Sequence, residues 1–440
     1  MEDSIFDRCL EIEARKSQDV ANVVWALCRV GRRIPKGLLE ALEGRELTTT
    51  ELVACLWALA EARNATSGLW ASAERRLSDR QLAAVLCAHA AAQVAPAWCL
   101  VRPEVATFSA PALAKSLWAW AKLRVAISSE AIRRCQELLD SFKASEFASS
   151  VWAIGSMESP AVDFFEALEL RRDLESHHLS QLCWALGSAG VRRPTLMKQV
   201  AQELLTRHDL SLQSVANICW AFRTLEISED GRLTLHLQSL VAQHLVRASC
   251  EDVESLLGIL WASEDEALRA AISSTLGRLG RQMDKLRETS PLPELPVAYE
   301  VPGILVLFKP AGWEVDTFYC PSKENSFEKG SKVLRFFLMA QGARGSGFSG
   351  FISRLDAPSS GLLLLATSFE ALFWLQAQRE MKLLERDYVA LCRGWLEESS
   401  CELRWRLRRQ GKGVRVSEHG RPALTKARGK EIQVASHIAT

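Results

Sequence analysis

The chain has 440 residues, 48% of them hydrophobic and 24% charged, with a net charge of +1. That length calls for about two or three domains, and that composition excludes a wholly disordered chain, a collagen and a small disulfide scaffold. No apolar run of about 18 residues occurs, so no membrane span is expected. The longest candidate, Ala83 to Val101, is interrupted by His89, Gln93 and Pro96. The acidic opening Met1-Glu-Asp-Ser shows neither a secretory nor an Arg-rich transit pattern, so the product is expected in the cytosol or nucleus, or else begins further upstream. The 12 Cys never form a Cys-x-x-Cys pair, which gives no support to a zinc or dithiol site. Most sit in apolar helical contexts, as small buried hydrophobes of a reducing compartment.

Residues 1–285 are a repeat. Trp-Ala recurs at Trp25, Trp57, Trp118, Trp152, Trp184, Trp220 and Trp261, with Cys87-Ala88 filling the gap after Trp57. The spacings run 32, 30, 31, 34, 32, 36 and 41 residues, and seven of the 14 Trp share this one position. Each Trp closes an apolar stripe at helical spacing, then the unit breaks, as at Gly31–Pro35 and Gly190–Pro194. A second apolar helix follows. Two helices per unit predict helical hairpins, and stacked hairpins predict an α-solenoid of about seven to eight repeats. Trp within such a stripe is expected to anchor the core, its Ala neighbour admitting the next helix. Asn22, Lys115, Ser149, Gln181 and Asn217, three positions before Trp, lie on the polar edge and are the candidate ligand readers.

Residues 286–298 include three Pro within Pro291–Pro296 and predict a stiff extended linker. Beyond it, in 299–440, the period changes. Gly303–Gly312 reads as a buried strand closed by Pro-Ala-Gly, and Lys332–Met339 as a short helix. A loop and a second buried strand fill Phe351–Thr367. Ser368–Glu385 reads as a helix capped by Ser368, Asp387–Gly394 as a strand, and Glu402–Val416 as a basic hairpin. This order predicts an α+β mixed-sheet domain after the all-α solenoid. From Tyr299 onward there are 21 basic and 15 acidic residues, and between Arg404 and Lys430 ten basic residues face one acid, Glu418. Such a patch suits a polyanion or is a solvated hairpin. Arg404, Arg406 and Arg408 alternate onto one side of their strand, with Arg409 beside them, as candidates to track phosphates. Asp356, in Ser353-Arg-Leu-Asp-Ala-Pro-Ser-Ser-Gly361 before a run of four Leu, is either a turn-capping Asx or a catalytic carboxylate.

Two resemblances narrow these readings. Segments such as VANVVWALCRVG, LSQLCWALGSAG and SVANICWAFRTL, spread over residues 15–265, resemble the octotricopeptide and heptatricopeptide repeats of organellar RNA-binding proteins. That resemblance implies RNA along the concave face, and leaves a plastid or mitochondrion open as the compartment. The later region resembles the RluA-type pseudouridine synthases in four ordered segments: Ile304–Trp313, Ser353–Ala366, Arg386–Gly394 and Gly420–Thr425.

This second resemblance implies isomerisation of uridine in RNA (ribosomal, transfer or organellar) without cofactor or metal. It gives Asp356 the nucleophile's role and Tyr388 the stacking and proton-handling role. Arg354, Lys309 and Gly361 fall beside the RNA. Ser353 stands where the family has His, and Ser359 where it has Thr. The family's Thr-Gly-Arg-x-His-Gln-Ile-Arg segment has no counterpart before Thr440, so a C-terminally incomplete domain of weak activity is expected. The competing functions are a non-catalytic RNA binder with a degenerate synthase domain and a protein-interaction scaffold.

Overall fold

The computed structural model describes residues 22–23, 26–27, 47–61, 77–92, 105–157, 161–228, 231–285, 297–315, 332–333, 350–389, 400–410 and 413–428. The expected linker and the break at Gly31–Pro35 lie outside them, apart from residues 297–298, which open a strand. Helices fill the described residues up to Lys285, and small sheets dominate after it. Among the described residues, no helix is long and apolar enough to cross a membrane. Packing divides the chain into two units. One holds the residues up to Arg207, residues 221–228 and the strands after 400, and the other holds 208–220 and 231–389.

In the first unit the helices are α1 (Thr49–Glu61), α2 (Asp79–Ala92), α3 (Ala110–Lys122), α4 (Ser129–Glu137), α5 (Ala144–Gly155), α6 (Val162–Glu166), α7 (Ser176–Ala189) and α8 (Pro194–Leu204). Those carrying the repeated Trp-Ala or Cys-Ala position, α1, α2, α3, α5 and α7, pack side by side in that order. Their seam is made by the small residue: Ala119, Ala153 and Ala185 are all 0% exposed. A Cβ added at Gly155 would lie 2.7 Å from the Ala185 Cα, so α5 and α7 meet almost backbone to backbone.

The described repeat Trp side chains differ from the core role expected of them. Trp118, Trp152 and Trp184 are half-buried at the rim of this seam. Trp152 and Trp184 stack with ring centroids 5.7 Å apart, and the Lys122 ammonium lies 5.0 Å from the Trp152 centroid and 5.8 Å from that of Trp118. Helical period fixes which side of a helix a residue occupies, but not whether that side ends at the core or at its edge. Trp152→Ala should therefore cost about 2 kcal/mol in thermal unfolding of the full chain, the worth of one aromatic stack plus one cation–π contact, rather than the 3–5 kcal/mol of a deep core Trp.

The units end as their breakers dictate. Gly190 takes φ 69 and ends α7, its N–H and that of Val191 returning to the carbonyls of Gly187 and Leu186. Pro194 then opens α8 at a position that needs no amide hydrogen. Within the first unit, arginines tie each repeat to its neighbour by donating to backbone carbonyls. Arg134 reaches Phe108, Arg171 reaches Leu139, Arg193 reaches Phe165 and Arg207 reaches Leu174, across 26, 32, 28 and 33 residues. A guanidinium has five donors and suits carbonyls that a helix leaves unpaired.

Burial raises the Cys135 thiol to about 12, while Cys250 is exposed. At mildly alkaline pH iodoacetamide should modify Cys250 in the native chain and reach Cys135 only on unfolding, as peptide mass mapping would show.

The second unit holds most of α9 (Leu212–Leu225), then α10 (Arg232–Leu245), α11 (Val253–Ala262) and α12 (Glu266–Lys285). Strands β1 (Val297–Val301), β2 (Ile304–Lys309) and β5 (Gly361–Ala366) form an antiparallel sheet in the order β1-β2-β5. One face buries Leu305, Leu307, Leu363 and Leu365 around Val315. Helix α13 (Phe369–Glu380) begins where expected, Ser368 Oγ accepting the Ala371 N–H at 3.1 Å, and ends earlier than expected, at Glu380. It also packs along α12. The Asp284 carboxylate accepts the Phe369 and Glu370 N–H groups at 2.6 and 3.0 Å, and a Cβ on Gly280 would stand 2.6 Å from the Glu370 nitrogen.

Two expected elements differ. Lys332–Val333 is not helical but forms β4, pairing in parallel with β3 (Trp313–Glu314); residues 334–339 lie outside the described residues. Residues 387–389 form no strand, because a strand requires a hydrogen-bonding partner and none of the described strands pairs there; residues 390–394 lie outside.

The basic hairpin forms as expected and belongs to the first unit. Strand β6 (Ser400–Gln410) is flanked by β7 (Gly413–Val416) and β8 (Arg421–Arg428), both antiparallel to it.

Candidate active site and basic sheet

The centre of the second unit's site is the end of β2. In the β2–β5 pairing Lys309 stands opposite Gly361, so the turn after β2 and the 353–360 loop before β5 emerge side by side. Gly361 adopts φ 150, and Gly312 φ 83, which a residue with a Cβ rarely takes. The Gly312 N–H donates to the Ala357 carbonyl at 2.7 Å, and the Ser359 N–H returns to the Asp356 carbonyl at 3.0 Å, closing a turn around the carboxylate. Leu355 packs against the buried sheet face. Beneath the loop, the Arg379 guanidinium donates to the Ile352 carbonyl at 3.0 Å. The apolar anchor and these bonds hold the backbone, and the Asp356 residue faces solvent.

Lys309, expected beside RNA, is instead 0% exposed. Its ammonium donates to the carbonyls of Trp313, Pro310 and Ala357 at 2.6, 3.1 and 3.4 Å. Burial pushes it below the ordinary lysine value, opposed by the nearby Asp356 carboxylate. Lys309 is thus a buried cation that pins the turn and the Asp356 loop together, and Asp356 is the charged neighbour that favours its protonated form. Arg354 is exposed on the same loop. Tyr388 is 65% exposed, in a stretch without regular structure. The structure thus brings Lys309, Gly361 and Asp356 together and leaves Tyr388 outside that cluster of bonds.

The basic sheet is a second site, in the first unit. Arg404 is exposed and pairs with Glu402 at 2.8 Å. Arg406 and Arg408 are half-buried and are engaged within the chain. Arg406 donates to the Thr224 carbonyl at 2.7 Å and to the Glu226 carboxylate at 2.9 Å. Arg408 donates to the carbonyls of Ala189 at 2.8 Å, Met157 at 3.2 Å and His419 at 3.2 Å. Burial, and then Arg421, push its guanidinium downward. The Arg409 side chain lies outside the described residues. The strand alternation is as expected, but only the Arg404 end of that side opens to solvent, since the other end lies on helix ends.

One group could hold a metal among the described residues: Glu175, His177 and His178, whose ligand atoms lie within 4.8 Å of one another. His178 Nδ1 accepts the Glu175 N–H at 3.2 Å, so these residues serve as the N-terminal cap of α7.

The strand, the Lys-Pro-Ala-Gly turn, the Asp356 loop and the basic sheet fall within one stretch of sequence. Residues 303–433 match the RNA pseudouridylate synthase family. Among curated proteins the chain is similar to ribosomal large subunit pseudouridine synthase C of Escherichia coli O6:H1, at 31% identity over 144 residues, 31% of this chain and 41% of that protein. The Escherichia coli K12 protein of the same name is 32% identical over 144 residues, again covering 31% and 41%. The Pasteurella multocida protein of that name is 38% identical over 86 residues, 18% of this chain and 26% of its own length. The chain thus spans at most about two fifths of these relatives (41%). All of Lys309, Arg354, Asp356, Gly361, Tyr388 and the Arg404–Arg409 strand lie inside the matched synthase segment.

Proposed function

We propose that the chain is an RNA pseudouridine synthase whose catalytic carboxylate is Asp356, with residues 1–285 acting as an α-solenoid arm for the target RNA, 286–298 as linker and 299–440 as the synthase domain. The observation that carries this reading is an exposed carboxylate on a loop pinned from beneath by a buried lysine, inside the family-matched segment. The reaction conserves every atom of the nucleoside except the proton exchanged at carbon 5. The bond from ribose C1′ to uracil N1 breaks, the base rotates, a bond from C1′ to C5 forms, the C5 proton leaves and N1 takes one up.

A carboxylate suits the first step because it can bond to C1′ or help generate a glycal, and then depart. Tyr388 offers a ring face to the extruded base and a phenol oxygen to the C5 proton. Arg354 neighbours the nucleotide, and Arg404 meets backbone phosphate. Extruding the base costs a few kcal/mol, which binding along the arm offsets. The relatives' names make RNA of the large ribosomal subunit the first substrate to try. With such RNA labelled with tritium at uracil C5, the full chain should release label to water. Absence of release while the RNA remains bound would favour a binding protein without catalysis.

A further inference from the structure

In the first unit, α5, α7 and the last residues of α9, from Ala221 on, present their C-terminal ends to β6. Helix α5 ends at Gly155, α7 at Ala189 and α9 at Leu225. The last four carbonyls of any α-helix lack partners within it, and the helix dipole places partial negative charge there. Side-by-side packing sets the ends of α5 and α7 about 8–10 Å apart, and the end of α9 adds further acceptors to the ledge.

Strand β6 crosses this ledge. Residues two apart on a strand project to one side about 7 Å from each other, which lets Arg406 and Arg408 address adjoining helix ends. Arg408 joins the Ala189 carbonyl, at the end of α7, to the Met157 carbonyl, two residues beyond the end of α5, and Arg406 takes the Thr224 carbonyl in the last turn of α9 and the Glu226 carboxylate just after it. A third tie comes from the turn between β7 and β8. There the His419 ring nitrogen Nδ1 lies 3.1 Å from the Gly190 carbonyl, while the Arg408 guanidinium holds the His419 carbonyl. The fit is close. A Cβ on Gly190 would overlap the His419 carbonyl, and one on Gly420 would stand 2.6 Å from the β6 backbone at Arg406 and Leu407.

We propose that the C-terminal ends of these repeat helices form a docking ledge for a basic β-strand, and that Arg406, Arg408 and His419 hold β6 on it. The residues that look most like phosphate readers are, in this account, the ties by which the repeat array carries part of the synthase segment. The ledge fits this partner because guanidinium forks on one strand face meet carbonyls that no helix donor can reach. Phosphate contact is left to the outer end of β6, at Arg404.

Hydrogen exchange followed by mass spectrometry on the full chain tests this without any RNA. In the R406Q/R408Q variant, exchange should accelerate by about tenfold or more in 400–428 and in the last turns of α5, α7 and α9, while the first turns of those helices keep their protection. Gly190→Ala provides a second reading should the double variant unfold: acceleration should be confined to residues near 417–420 and to the end of α7. Unchanged exchange at 400–428 in the double variant, or at 417–420 in Gly190→Ala, would overturn the proposal. In parallel, R404Q should lower the salt slope of RNA binding with exchange unchanged.

Discussion

Asp356→Asn is expected to lower pseudouridine formation by about 10⁴ or more while leaving RNA affinity nearly intact. Loss of a nucleophile has effects of that order in other enzymes. The side chain is exposed, and its charge supports the protonated form of Lys309. An amide preserves the volume and the turn closed by the Ser359 N–H, but it neither attacks nor leaves as a carboxylate does. Asp356→Glu should fail as well, because one methylene moves the attacking oxygen by about 1 Å, which costs on the order of a hundredfold. Removing the charge has one internal consequence. The carboxylate opposes the fall in Lys309 basicity, so Asp356→Asn should depress the Lys309 ammonium further, visible in the pH titration of its side-chain carbons by NMR.

Lys309→Met is expected to destabilise the second unit by about 3 kcal/mol and to disable catalysis through the Asp356 loop. Methionine fills similar volume, so the loss comes from the bonds. The Pro310 and Trp313 carbonyls lose the ammonium donor, and Ala357 keeps only the Gly312 N–H. Buried acceptors left unpaired cost about 1–3 kcal/mol each, less the cost of burying the ammonium that methionine avoids. The pH dependence gives the sign a second check. Burial holds folded Lys309 below the ordinary lysine value, so between the two values the unfolded chain binds more protons and stability rises with pH. Urea midpoints taken from about pH 8 to about pH 10 should therefore rise more in wild type than in Lys309→Met, so that the gap between the two widens as pH rises.

The repeat was legible because a large residue followed by a small one recurred at a fixed helical position, and the breakers Gly190 and Pro194 act through backbone geometry alone. Ser368 was legible as a cap for the same local reason. β2 and β5 were legible as apolar runs bounded by turn residues. What escaped the sequence is long-range. Lysine ordinarily reads as exposed, and only the carbonyls of Trp313 and Ala357 make Lys309 a buried one. Asp284 caps a helix beginning 85 residues later, a relation without local pattern. Arg406 and Arg408 reach carbonyls 182 and 219 residues away, so alternation along the strand revealed their side and not their partners. The half-burial of Trp152 depends on where the helix row ends, which no single helix encodes.

The central claim is that Asp356 drives uridine isomerisation in RNA. It is tested most directly by digesting treated RNA to nucleosides and separating pseudouridine from uridine by chromatography with mass detection. The full chain should produce pseudouridine from RNA of the large ribosomal subunit, and its Asp356→Asn variant, matched for RNA binding, should produce none. Equal pseudouridine from both proteins would contradict the account, as would none from a wild-type chain that binds the RNA.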